Sequence, residues 1–238
     1  MRRIRGKIAL AAALVLLIGA FCGCYVRKSG DSRTPTSPRG YELDIEGSAR
    51  EPIRSPLVLI TKRMQVNGCT VFYPFVCDEN TTILNRSIES AFDGFASYCE
   101  SPGCTVSYSV EFNRYGLLSL LMTCSAPGGR TVLTDAANFD SDSGMRVYLS
   151  DCFIEGSDYS EKLGEIVLKT VENRGYTLLA SEPAIGDGTL FLFTFGGIYV
   201  MFREYELCTY EAGAPRIKAP LSALAGCFSQ DGLLNRLK

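Results

Sequence analysis

The chain contains no histidine and no tryptophan among its 238 residues. Without histidine, Ser-His-Asp and Cys-His nucleophile systems are excluded, as are histidine-based zinc hydrolases. Without tryptophan the commonest sugar-stacking platform is missing, although 12 Tyr and 13 Phe offer substitutes. Excess positive charge is lacking too. Against 26 Asp and Glu stand 24 Lys and Arg, a formal net charge of −2 with no basic stripe, so nucleic acid is not an expected partner. No CxxC pair occurs and no internal repeat is visible. The usual zinc-ligand spacings are therefore absent, and neither a metal nor another cofactor is expected.

What is present starts at the N-terminus. Arg2, Arg3, Arg5 and Lys7 precede nineteen uncharged residues, Ile8 to Val26, and charge returns at Arg27 and Lys28. At a helical rise of about 1.5 Å per residue the stretch spans roughly 28 Å, close to the hydrocarbon core of a bilayer. This is the layout of an export signal or of one transmembrane anchor, and it predicts a chain held at the extracytoplasmic face of a cell membrane. Phe21-Cys22-Gly23-Cys24 resembles a bacterial lipobox, with Gly23 at the cleavage position and Cys24 as the lipidated residue. The alternative is an uncleaved helix with its cysteines as apolar filler. Either one tethers the protein to the lipid membrane through residues 1–26. Residues 27–56 are rich in Pro, Ser and Gly without apolar periodicity, the composition of a flexible tether.

Ten cysteines are many for this length, and eight of them lie beyond the anchor. In an exported chain an even set reads as disulfides, although eight cysteines permit 105 pairings. One local pair stands out. The turn-forming Ser101-Pro102-Gly103 can bring Cys99 and Cys104 within the ~4.4–6.8 Å Cα range of a bridge.

Residues 57–238 have the composition of one globular domain, long enough to bury roughly 70% of its surface. Leu57 to Val66 and Cys69 to Val76 flank Asn67-Gly68, a strong hairpin signal. Apolar residues then recur at helical spacing from about 80 to 98, and again from 158 to 173 with Asp158 as cap and Gly175 past the end. Strands are predicted at Thr105 to Tyr115, Leu117 to Ser125, Thr131 to Phe139 and Met145 to Leu149. A second hairpin is expected from Leu190 to Phe195 and Ile198 to Tyr205, and a short helix from Pro220 to Cys227. Hairpins grouped around two main helices make an α+β fold with a mostly antiparallel sheet.

Three constellations have the residue types for chemistry. Asn138, Asp140 and Asp142 alternate like calcium-loop ligands, but Ser143 and Leu149 stand where such a loop needs Gly and Glu, so a polar hairpin turn is favoured. Glu204 and Glu206 on a continuing strand share one face about 7 Å apart, the spacing of an inverting glycosidase pair; solvated carboxylates are the plainer reading. Tyr205, Glu206 and Tyr210 lie where the chain leaves a strand for a Tyr- and Gly-containing loop, suited to ligand binding or to covering a core edge.

Phe202-Arg203-Glu204-Tyr205-Glu206, then Tyr210, Gly213 and Pro220, resemble the C-terminal signature of an extracytoplasmic domain found in the RsiV anti-sigma factor and beside the catalytic domain of PdaC-type peptidoglycan deacetylases. Tyr73-Pro74 with Asn85 and Ile88 is similar to that family's strand-to-helix entry. Leu118-Ser119-Leu120, Gly128-Gly129, Phe139, Gly144, Leu149, Asp151 and Phe153 are similar to its central block. Arg130-Thr131 follows the Gly-Gly pair where members often have Ala-His, and Cys208-Thr209 stands where alanine-proline usually precedes the second tyrosine. The resemblance implies the outer domain alone, with neither the sigma-binding segment nor the deacetylase domain. It implies a non-catalytic binding or sensing module of the bacterial envelope, with a secreted protein such as lysozyme or a cell-wall glycan (peptidoglycan) as ligand. The alternatives are a carboxylate-dependent cell-wall hydrolase and a structural envelope lipoprotein.

Overall fold

The computed structural model describes residues 55–179, 182–209 and 212–238. Residues 1–26, Cys24 included, almost all of the 27–56 tether and Tyr210 lie outside the described residues. Among those described, no helix is long and apolar enough to cross a membrane.

Asn67 and Gly68 both take positive φ, 48° and 83°, the backbone of a tight primed turn. They join β1 (Leu59–Val66) to β2 (Cys69–Val76), with Val66 opposite Cys69. The Asn85 side chain then clamps the end of β2. Its Oδ1 accepts from Val76 N at 2.8 Å and its Nδ2 donates to Val76 O at 3.0 Å. That clamp sits in the first turn of α1 (Thr82–Ser97), so the strand feeds straight into the helix. The apolar face of α1, including Leu84, Ile88, Phe92 and Phe95, is buried, each such side chain contributing about 1.5–3 kcal/mol.

After α1 the chain returns as β3 (Thr105–Arg114), parallel to β2, and continues through β4 (Leu117–Ser125), β5 (Thr131–Asp140) and β6 (Arg146–Val147). The order β1-β2-β3-β4-β5-β6 is antiparallel at every step except β2–β3. A second sheet, β7 (Leu190–Thr194), β8 (Gly197–Met201) and β9 (Arg216–Pro220), is antiparallel throughout and packs with α2 (Tyr159–Asn173). The fold is α+β with a mostly antiparallel sheet and two helices at the expected places.

β4 shows how the layers are stacked. Leu118, Leu120, Met122 and Cys124 join the core under α1, whereas Leu117 and Leu121 belong to the cores shared with the small sheet. A strand buried on both faces reads as a nearly continuous apolar run, and Leu-Leu-Ser-Leu-Leu-Met is one. The serine in that run has a purpose. Ser119 and Asn138 are the buried polar residues of the core, 0% and 2% exposed. Ser119 Oγ donates to Asn138 Oδ1 at 2.6 Å and accepts from Phe193 N at 2.9 Å, while Asn138 Nδ2 donates to Phe191 O at 2.8 Å. Because β8 pairs with only one side of β7, the other edge faces the large sheet, and these two side chains satisfy backbone groups that lie beyond the reach of water.

Four expectations need correction. Cys99 does not bond Cys104; Cys69 does, with a Cα–Cα distance of 4.7 Å. Parallel pairing of Thr70 with Thr105 sets the start of β2 beside the start of β3, whereas the Cys99 side chain folds back toward Phe95 O. The longer-range bridge also removes more unfolded-chain entropy, roughly 4 kcal/mol for its 35-residue separation against roughly 2 kcal/mol for the short loop. β8 stops at Met201, because Glu206 Oε2 accepts from Arg203 N at 2.7 Å and closes a turn with Tyr205 at φ 63°. Glu204 and Glu206 therefore share no strand face. Pro220 to Cys227 is a chain of single turns, not a helix, and its first residue ends β9, a strand the periodicity did not show. Asp158 stands at the N-cap of α2 without capping it, since its carboxylate is engaged elsewhere.

Candidate functional site

A cleft of about 230 Å³ opens where the large sheet's last strands meet the approach to β7. β5 contributes Asp135 and Asn138, β6 and its continuation contribute Arg146 and Tyr148, the turn before β7 contributes Asp187 and Thr189, and the turn after β8 contributes Arg203. Local geometry explains each placement. β5 and β6 pair antiparallel with Asn138 opposite Val147, which brings Arg146 alongside the β5 backbone; its Nη2 donates to Ala136 O at 3.4 Å. The Arg146 guanidinium lies 5.4 Å from the ring centre of Tyr148, a cation–π contact at the mouth of the cleft. Thr189 Oγ1 accepts from Gly186 N at 2.9 Å, which holds the turn bearing Asp187. Glu206 fixes the Arg203 backbone from the other side.

This arrangement is chemically a binding surface. Guanidinium groups present planar donor forks to carboxylates, an exposed tyrosine presents a rigid amphipathic ring, and the two carboxylates accept from hydroxyl or ammonium groups. Asn138, although part of the lining, has both ends of its amide engaged with Ser119 and Phe191. The lining holds neither cysteine, serine nor lysine.

The sequence-predicted Tyr205, Glu206 and Glu204 lie beside this cleft, in the turn that carries Arg203, and not in its lining. Tyr205 is 59% exposed in the turn next to Arg203, and Glu206 is the residue that builds that turn. Glu204 is exposed in the same turn. Arg146, Tyr148, Asp135 and Asp187 were not legible, because three distant segments supply them and none carries a local motif. The calcium-like loop is a hairpin turn. Asp140 accepts from Asp142 N at 3.2 Å and from Ser143 Oγ at 2.9 Å, and Arg236 pairs with Asp140 at 2.9 Å and Asp142 at 3.3 Å.

Another cluster joins Cys227, Asp158 and Lys162. Cys227 Sγ donates to Asp158 Oδ1 at 3.1 Å, and Lys162 Nζ lies 3.4 Å from the sulfur and 3.3 Å from the carboxylate. Burial, then the hydrogen bond to Asp158, pushes the Cys227 thiol up from its ordinary value, which favours the protonated sulfur that donates to Asp158. The hydrogen bond from Cys227, followed by that from Lys162, holds the Asp158 carboxyl below its usual range.

No family model matches the chain, and no curated protein matches it. Solved structures do. A DUF3298 family protein of Pseudomonas aeruginosa PAO1 superposes with a TM-score of 0.51 at 12% identity, covering 75% of this chain and 95% of that one. A DUF3298 family member from Bacteroides fragilis gives 0.49 at 13% identity, over 79% and 98% of the two chains. The structural neighbours are thus DUF3298 proteins, a bacterial domain of unknown function, and what this chain has in common with the Pseudomonas protein is the fold.

Proposed function

We propose that this protein is a membrane-tethered binding module at the extracytoplasmic face of a bacterial envelope. Its cleft takes a cell-wall glycan or muropeptide bearing a carboxylate. The observation that carries the proposal is the convergence of Arg146, Tyr148 and Arg203 on one opening, supported from opposite sides by β6 and by the turn after β8. The arginine-rich and basic N-terminal layout followed by a long apolar run supports the tether, and the Cys69–Cys104 bridge suits an oxidising compartment. The fold shared with a DUF3298 protein of Pseudomonas aeruginosa supports a bacterial domain, and the envelope setting rests on the resemblance to the outer domain of RsiV-like proteins. Catalysis is not part of this reading: Glu204 and Glu206 do not continue β8, and the Glu206 carboxylate is engaged with the Arg203 backbone.

The test is retention of the detergent-solubilised full chain on purified peptidoglycan and on immobilised lysozyme, with isothermal titration against soluble muropeptides. Binding of muropeptides that drops at least tenfold in Arg146→Ala and Arg203→Ala is expected. Retention on lysozyme alone moves the ligand to the protein class, and retention on neither defeats the binding-module reading.

A further inference from the structure

Four cysteines meet at one corner of the core beneath α1. Cys69 opens β2, Cys104 leads into β3, Cys124 lies on β4, and Cys99 follows the last turn of α1. The three strands are neighbours in the sheet and α1 covers them, so all four sulfurs point into the same apolar layer. The Sγ atoms of Cys99, Cys104 and Cys124 lie within 4.8 Å of one another, and all four residues are buried. Cys69 and Cys104 are joined, which leaves the Cys99 and Cys124 thiols free and their sulfurs within 4.8 Å of each other.

We propose that Cys99 and Cys124 form a second disulfide, packed against Cys69–Cys104. Two thiols are too few for a tetrahedral thiolate metal centre once the other pair is bonded. Their surroundings also disfavour charge: burial, then the neighbouring Cys124 sulfur, pushes the Cys99 thiol up to about 12. A neutral disulfide suits this layer better than thiolates do. The bond forms by thiol–disulfide exchange with an external disulfide such as glutathione disulfide. One cysteine attacks it to give a mixed disulfide, and the other displaces the leaving thiol. Cys99 and Cys124 together lose two protons and two electrons, and the external disulfide becomes two thiols. Because both side chains are buried in the folded chain, this exchange belongs to the stage before the core closes.

The proposal rests on passage through an oxidising compartment, but its test does not require cells. The purified full chain in detergent is reduced, unfolded, refolded in a glutathione redox buffer, and alkylated under denaturing conditions. It is then digested with trypsin and a glutamyl endopeptidase, which cuts after Glu100 and so separates Cys99 from Cys104. Mass spectrometry is expected to show the Cys99 peptide linked to the Cys124 peptide beside a separate Cys69–Cys104 link. In Cys99→Ser, Cys124 becomes alkylated and Cys69–Cys104 persists. Alkyl groups on both Cys99 and Cys124 of the parent chain overturn the proposal. So does a Cys99 link to Cys69 or Cys104, or one zinc per chain with all four thiols reduced. Failure here leaves the ligand-binding reading untouched, since no ligand enters the assay.

Discussion

Replacing Asn138 with alanine tests how the two sheets are held together. The substitution removes the donor to Phe191 O and the acceptor for the Ser119 hydroxyl, at 2.8 and 2.6 Å. Both orphaned groups lie in a dry layer, since Ser119 is 0% exposed and Phe191 3% exposed. An unsatisfied buried polar group costs about 1–3 kcal/mol. Two of them give about 3 kcal/mol, because a carbonyl tolerates the loss better than a donor does. Ser119→Ala orphans Phe193 N–H and Asn138 Oδ1 and is expected to cost about the same. The Ser119–Asn138 bond is lost in both single variants, so the double variant is less destabilised than the sum by about 1 kcal/mol or more. Against a total stability of about 5–15 kcal/mol these are large effects. Urea unfolding followed by far-ultraviolet circular dichroism reads them, the chain having no tryptophan for fluorescence. Hydrogen exchange adds a local signature, with the Phe193 amide exchanging faster in Ser119→Ala than in the parent. Single-variant losses under about 0.5 kcal/mol, or strict additivity in the double variant, refute the idea that these side chains satisfy the edge of β7.

Three further outcomes follow from named contacts. Gly144→Ala destabilises by about 2 kcal/mol or more, because φ is +72° there and the new Cβ meets Leu84 N at 2.7 Å and Ile83 Cβ at 2.9 Å; a thermal midpoint within a degree or so of the parent contradicts this. Cys69→Ser, which opens the bridge, lowers stability by roughly 4 kcal/mol in oxidising buffer but much less when the parent is reduced, and equal losses in both buffers rule out the bridge as the cause. The depressed Asp158 carboxyl contributes stability that is present above the unfolded value near 3.8 and is lost as pH falls through the lower folded value. The gap in urea midpoint between the parent and Asp158→Asn therefore closes in acid; a pH-independent gap excludes this charge effect.

Local chemistry made much of the fold legible in advance. Asn67-Gly68 dictates its hairpin through positive φ at two successive residues, and the 3.6-residue apolar period in α1 and α2 is a property of the segments themselves. The run Leu117 to Cys124 announces a strand, although only the stacking of two cores explains why it is apolar on both faces. What depended on distant partners was not legible. The disulfide follows from parallel pairing of β2 with β3 across an intervening helix, not from the turn between Cys99 and Cys104. β9 and the end of β8 depend on which strand lies alongside. Glu206 looked like a strand carboxylate until a hydrogen bond across three residues turned it into a turn former.

The amino-acid order alone therefore determines the elements whose stability is short-range: turn backbones, helix periods, the apolar character of β4, and the absence of histidine chemistry. The cleft, the sulfur pairing and the Ser119–Asn138 bridge were decided by tertiary structure alone. Each brings together groups on non-adjacent segments, and the free energy that places them comes from burial and from satisfying the edge of β7, neither of which exists until the sheets have met.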